Sequence, residues 1–190
     1  MSRAYRVRVR ESVRHTVCAE DHVATTLELL EVLPREEMAE LLRRELTGRG
    51  FQAEGATLVR RGGGVTVEID PVAGSVTVRS EQAEEVVLEG ERQGTADADW
   101  GNHGREQTEA SLRKALRTEL EARAGRRDAE AQRAVTDRLE APLLDLRGEL
   151  DQVVNRVTAE ALKTKAGRLG RIKEMTEDPQ AGSLTIVLEV

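Results

Sequence analysis

Residues 57–78 read TLVRRGGGVTVEIDPVAGSVTV, and this stretch decides that the chain builds an antiparallel sheet. Three short runs rich in valine, Thr57 to Arg60, Val65 to Ile69 and Val76 to Val78, are separated by two turn sequences. Within the second run Val65, Val67 and Ile69 alternate with Thr66 and Glu68, the period of two that places one face of a strand on a core. The separators, Arg61-Gly-Gly-Gly64 and Asp70-Pro-Val-Ala-Gly74, hold the glycines and the proline that tight turns need. Val86 to Leu88 reads as one more short strand.

Upstream, Pro34 opens a helix at a position where its missing N–H costs nothing. Met38, Leu41, Leu42 and Leu46 then fall on one helical face, and Gly48 and Gly50 close the segment. Further toward the N-terminus Tyr5, Val7 and Val9 alternate with Arg6, Arg8 and Arg10. Val13 and Val17 extend that pattern, and Val23 to Leu30 forms another run after Glu20-Asp21. Two or three antiparallel strands in a meander are predicted here. The arginines, with Arg14, line one sheet face, expected to be solvated and paired across strands with acids such as Glu28.

Downstream the texture changes. Residues 93–104, polar and glycine-containing around Trp100, read as a linker, and residues 105–175 as a helical hairpin rich in Ala, Leu, Glu and Arg. Leu112, Leu116 and Leu120 mark its first helix, with Gly125 as the expected turn. Leu139, Leu143, Leu146, Leu150, Val153 and Val157 alternate steps of four and three, the seam of a coiled coil. Pro142 kinks or restarts that helix. The seam either packs on the Leu112–Leu120 helix or binds another chain. Residues 176–190 end in a strand, Leu184 to Val190, which is expected to return to the sheet formed by the β-rich part, residues 1–92. Its turn, Asp178-Pro-Gln-Ala-Gly-Ser183, echoes Asp70-Pro-Val-Ala-Gly-Ser75. The fold class is therefore α+β: an antiparallel sheet, one short helix and a long inserted helical hairpin.

Composition narrows the function. The chain has 190 residues, 34% of them charged, with a net charge of −6 and three aromatics, Tyr5, Phe51 and Trp100. Such an acidic balance disfavours a surface given over to nucleic acid or anionic lipid. No apolar run is long enough for a bilayer, no signal-peptide core is visible, and the single cysteine, Cys18, forms no intrachain disulfide. The cytoplasm is the expected compartment.

Chemistry-bearing patterns are sparse. Asp97, Asp99 and His103 cluster around Trp100, but they lack zinc or EF-hand spacing. His15 and Cys18 point to opposite faces of a strand, so Cys18 reads as a small buried core thiol. Arg60-Arg61-Gly-Gly-Gly64 lies between two strands and lacks the Lys-Ser/Thr of a phosphate loop. No cofactor is expected. The basic run Lys163, Lys165, Arg168, Arg171 and Lys173 stands at a helix C-terminus, where cations are favoured structurally; binding of nucleic acid or a phosphate ligand there is the alternative reading. An enzyme assembled from Asp97, Asp99, Trp100 and His103 is a third.

The order of several segments carries a resemblance. The start Met1-Ser-Arg-Ala-Tyr-Arg-Val-Arg-Val9, the stretch LLRRELTGRGF (41–51) followed by Val65-Thr-Val-Glu-Ile-Asp70, and the end Arg168-Leu-Gly-Arg-Ile-Lys173 with Gly182-Ser-Leu-Thr-Ile186 resemble small accessory proteins encoded beside AAA+ ATPases in bacterial ternary conflict systems. Those systems combine an FtsH-like or MoxR-like ATPase, a von Willebrand A-type protein and small adaptor domains. The resemblance implies an adaptor or substrate-recognition subunit for the ATPase, without catalytic residues; a homo-oligomer is expected only where the leucine seam is exposed and binds another copy.

Overall fold

A computed structural model of the chain describes residues 4–97, 101–178 and 183–189. Its elements, in order, are β1 (Ala4–Thr26), α1 (Arg35–Gly48), β2 (Gln52–Glu54), β3 (Thr57–Gly62), β4 (Val65–Asp70), β5 (Ser75–Asp97), α2 (Gly101–Glu140), α3 (Leu143–Leu169), β6 (Arg171–Asp178) and β7 (Ser183–Glu189). The fold is α+β: a five-stranded sheet in the order β1-β5-β4-β3-β2, a long helix broken near its middle, and a separate two-stranded sheet of β6 and β7. Among the described residues no helix is long and apolar enough to cross a membrane.

The chain divides into two compact units. Unit 1 comprises Met1–Glu20 and Glu81–Thr136, and unit 2 comprises Asp21–Ser80 and Asp137–Val190.

Unit 2 holds the larger core. The predicted hairpins form as read: β3 pairs with β4 from Leu58↔Ile69 to Gly62↔Val65, and Gly63 and Gly64, at φ 60° and 77°, make the two-residue turn. Two successive positive φ angles match the right-handed twist of the strands, and a side chain at either position would be strained. At the β4–β5 turn Asp70 Oδ1 accepts the backbone N–H groups of Val72 and Ala73, which hold its carboxyl below the ordinary range. Helix α1 lays Met38, Leu42 and Leu46 on Leu58, Val65, Val67, Ile69, Val76 and Val78. The leucine seam covers the same core: Leu139 at the end of α2 and Leu146, Leu150, Val153 and Val157 of α3 are buried in it, with Leu143 packed at its margin.

Several sequence expectations need correction. The N-terminal meander is one uninterrupted 23-residue strand, because Ala4–Thr26 contains neither glycine nor proline to turn it. Likewise Val76–Val78 and Val86–Leu88 belong to the single strand β5. The linker at 93–104 is mostly structured: 93–97 continue β5 and 101–104 begin α2. No helical hairpin turns at Gly125, which lies inside the 40-residue α2. A glycine inside a helix costs only about 1 kcal/mol, and that cost does not outweigh a long run of good helix formers. The break comes at Ala141-Pro142, where the ring removes one backbone donor. The C-terminal strand does not return to the large sheet; β7 pairs with β6 from Arg171↔Glu189 to Asp178↔Ser183, across an irregularity at Ile172/Glu174. The sequence echo at 179–182 lies outside the described residues.

Candidate functional site

The site with the clearest construction is in unit 1. There β1 (4–20) and β5 (81–97) form a ribbon of only two strands, since β4 accompanies β5 no further than Val65↔Ser80. Alternation assigns the faces. Val7, Val9, Val17 and Ala19 of β1 and Ala96 of β5 are buried against α2. Leu116 and Leu120 meet Val7, Val9 and Ala96, whereas Ala131 and Val135 meet Val17 and Ala19. Gly90 and Gly94 let α2 come close: a Cβ at Gly90 would stand 2.6 Å from Leu116 Cδ1, and one at Gly94 3.2 Å from Leu112 Cδ1.

Polar ties run beside and between the two apolar clusters. His15 Nε2 and Asp128 Oδ1 are 2.8 Å apart, Arg117 Nε reaches Glu11 Oε2 at 3.4 Å, and Gln132 Nε2 donates to the Glu20 carbonyl at 3.1 Å. Arg92 donates two hydrogen bonds to Glu119 Oε2, and this, with the Arg123 charge alongside, holds the Glu119 carboxyl below its ordinary range. One face of the ribbon is thereby committed to α2.

The other face carries exposed side chains. Arg6, Arg8, Arg10 and Arg14 are exposed on β1, as are Glu81, Glu85, Glu89 and Glu91 on β5. Arg8 and Arg10 share the carboxylate of Glu91 at 3.0 and 2.6 Å, so the cross-strand acid is Glu91 and not Glu28, which lies beyond the end of β1. Hydrogen bonds from Gln93 and Arg10 lower the Glu91 pKa. Among the described residues no strand pairs with the outer edge of β1, or with β5 beyond Ser80. The acidic row on β5 escaped sequence reasoning; its signal, glutamates at 81, 85 and 89, is visible only once the region is known to be a single strand.

The sequence candidates fall elsewhere. The seam residues Leu139, Leu146, Leu150, Val153 and Val157 face the core of unit 2, packed on α1 and the sheet, whereas Leu112, Leu116 and Leu120 belong to a cluster of unit 1. One flank of the seam, Leu143, Leu146 and Leu150, lines an open groove of about 820 Å³ beside Val23, Thr25 and Val76. The basic run is split between α3 and β6. Lys163 pairs with Glu160, and Arg168 makes a two-pronged contact with Glu37, at 2.6 and 3.2 Å, that lowers the Glu37 pKa. Lys165, Arg171 and Lys173 are exposed. Cys18 is exposed on the open face of β1, not buried, because its parity is that of the arginines. His103 is exposed near the start of α2. Asp99 and Trp100 lie outside the described residues, as does the side chain of Asp97. Among the described residues no three His, Cys, Asp or Glu side chains are grouped for a metal ion.

No curated protein and no solved structure matches the chain. A protein family does, and over every residue from 1 to 190: the chain belongs to the family described as FtsH ternary system domain X5.

Proposed function

We propose that this component of an FtsH ternary system is a non-enzymatic adaptor that holds a protein partner along the open edges of the unit 1 ribbon. The observation that carries this reading is the ribbon itself, two strands covered by a helix on one face and, among the described residues, unpaired along both edges. Unpaired backbone N–H and C=O groups in a row are a template for another strand, and main-chain hydrogen bonds supply affinity in such a joint. The exposed arginines and glutamates then set register and partner choice. Family membership supports a partner drawn from the same system, the FtsH-type ATPase first.

Titration calorimetry of the purified chain against that ATPase tests the reading. Saturable binding is expected, with a slower on-rate in high salt. Absence of binding at both low and high salt would remove it.

A further inference from the structure

We propose that the edge of β7 is a joint for a second copy of this chain. Two β7 strands pair antiparallel about a two-fold axis and merge their hairpins into one four-stranded sheet. The joint lies in unit 2 and is independent of the unit 1 ribbon.

The β6–β7 hairpin is a sheet of only two strands, fewer than a sheet needs to hold by itself in water. Its two edges differ. On β6, Arg171, Lys173 and Glu174 are all exposed, and the pairing shifts between Ile172 and Glu174. Charge and irregularity are the devices that keep a strand edge from accepting another strand. β7 reads Ser183-Leu-Thr-Ile-Val-Leu-Glu189, in which the first six residues include no charge, proline or glycine. Its register is regular from Glu174↔Val187 to Asp178↔Ser183. Among the described residues no strand other than β6 pairs with it. An uncharged, regularly paired edge rich in β-branched residues is a template for a further strand.

The sequence of β7 complements itself. Set antiparallel to its copy about Ile186, it opposes Ile186 to Ile186, Thr185 to Val187, and Ser183 to Glu189. All seven residues take part, and no like charges meet. A two-fold axis perpendicular to the sheet keeps every residue on its own face. Leu184 and Ile186 are half-buried, and Met175, opposite Ile186 on β6, is 41% exposed. Two copies bring these side chains together on one apolar face, while Thr185 and Val187 meet on the other. A net charge of −6 sets copies against each other over most of their surface, and the β7 edge is free of that charge. Because the same edge is used on both copies, the joint closes at two.

Light scattering across a dilution series, at low and high salt, reads this directly. The mass is expected to rise from 21.0 kDa to twice that value and no further, at least as strongly in high salt as in low. Thr185→Lys with Val187→Lys sets lysine opposite lysine at two places in the joint and should weaken association about tenfold or more. Both side chains are exposed, and circular dichroism confirms that the variant is folded. Thr185→Glu with Val187→Lys sets opposite charges at the same two places. That variant should associate again, and salt should now weaken it. A wild-type mass constant at 21.0 kDa overturns the proposal. So does growth past two copies, dissociation of the wild type by salt, or a lysine variant that associates as before.

Discussion

Replacing Glu149 by glutamine should cost unit 2 about 1–3 kcal/mol at neutral pH, and the loss should vanish in acid. Glu149 on α3 receives two parallel hydrogen bonds from Arg60 on β3, Nη1 to Oε1 at 2.8 Å and Nη2 to Oε2 at 2.7 Å. Arg60 also lies over the Phe51 ring, 4.4 Å from its centroid, and donates to the Arg49 carbonyl. The side chains are 31% and 25% exposed, so the pair sits between a surface bridge and a buried one. Unit charges about 4 Å apart attract by roughly 4 kcal/mol at an effective dielectric constant near 20, and desolvation with lost rotamer freedom offsets about half or more of this.

The sign of the pH dependence follows from the carboxylate. Hydrogen bonds from Arg60, then its charge, hold the Glu149 pKa below the ordinary value. A depressed folded pKa means that the stabilisation is complete above about pH 4.3, the unfolded value, and disappears as pH falls through the folded one. Urea denaturation of wild type and Glu149→Gln, from pH 7 down to pH 2, reads the difference. The two curves should converge in acid, where protonated Glu149 resembles glutamine in shape and charge. A gap that persists unchanged at pH 2, or one under about 0.5 kcal/mol at pH 7, would refute the argument, because either result would mean that the charge contributes nothing.

Other consequences are as direct. Leu46→Ala, at a site with no solvent exposure, should cost about 2–5 kcal/mol by chemical denaturation; a loss below 1 kcal/mol would mean that α1 is not seated as described. Leu146→Glu with Leu150→Glu should unfold unit 2, read by circular dichroism, since both side chains are buried in its core; a folded double variant would mean that the seam is free. Gly90→Val should destabilise unit 1 by about 1–3 kcal/mol through collision with Leu116, and a neutral effect would show that α2 stands further from β5. Cys18 should react with a maleimide reagent in the native protein within minutes, because it is exposed; protection until denaturant is added would contradict the face assignment of β1. Fluorescence anisotropy with duplex DNA should give no salt-sensitive binding, and binding lost on neutralising Lys165, Arg171 and Lys173 would revive the nucleic-acid reading.

How much of this was legible in the sequence depended on how local the determining forces are. The hairpins of residues 57–78 and helix α1 were fixed by turn glycines, Pro34 and short apolar periods, so they formed where read. The long strands were not visible as single elements. In unit 1 the ribbon is covered on one face by a largely polar helix, so its pattern lapses at Ser12 and Val13 and again at Glu84 and Glu85, all exposed. A lapse in alternation resembled a strand end, although no turn residue accompanied it. Gly125 misled for the opposite reason: a residue common in turns was tolerated within a helix. The seam was recognised as apolar, but periodicity says only that a face is buried, and the partner turned out to be α1 and the sheet. Strand β6 was hidden because Arg171–Asp178 is mostly polar and interrupted by an irregular pairing. Of the candidate site, the arginine row was legible, while the glutamate row required the continuous β5 to align Glu81, Glu85 and Glu89.

The central claim is that the ribbon edges of unit 1 receive a protein partner. Amide hydrogen exchange on the chain, dilute enough to be monomeric, alone and saturated with the FtsH-type ATPase of its own system, tests it most directly. The expected result is slowed exchange within residues 4–20 or 81–97, with the amides of α1 and α3 unchanged. Failure to bind, or slowing confined to unit 2, would contradict the account.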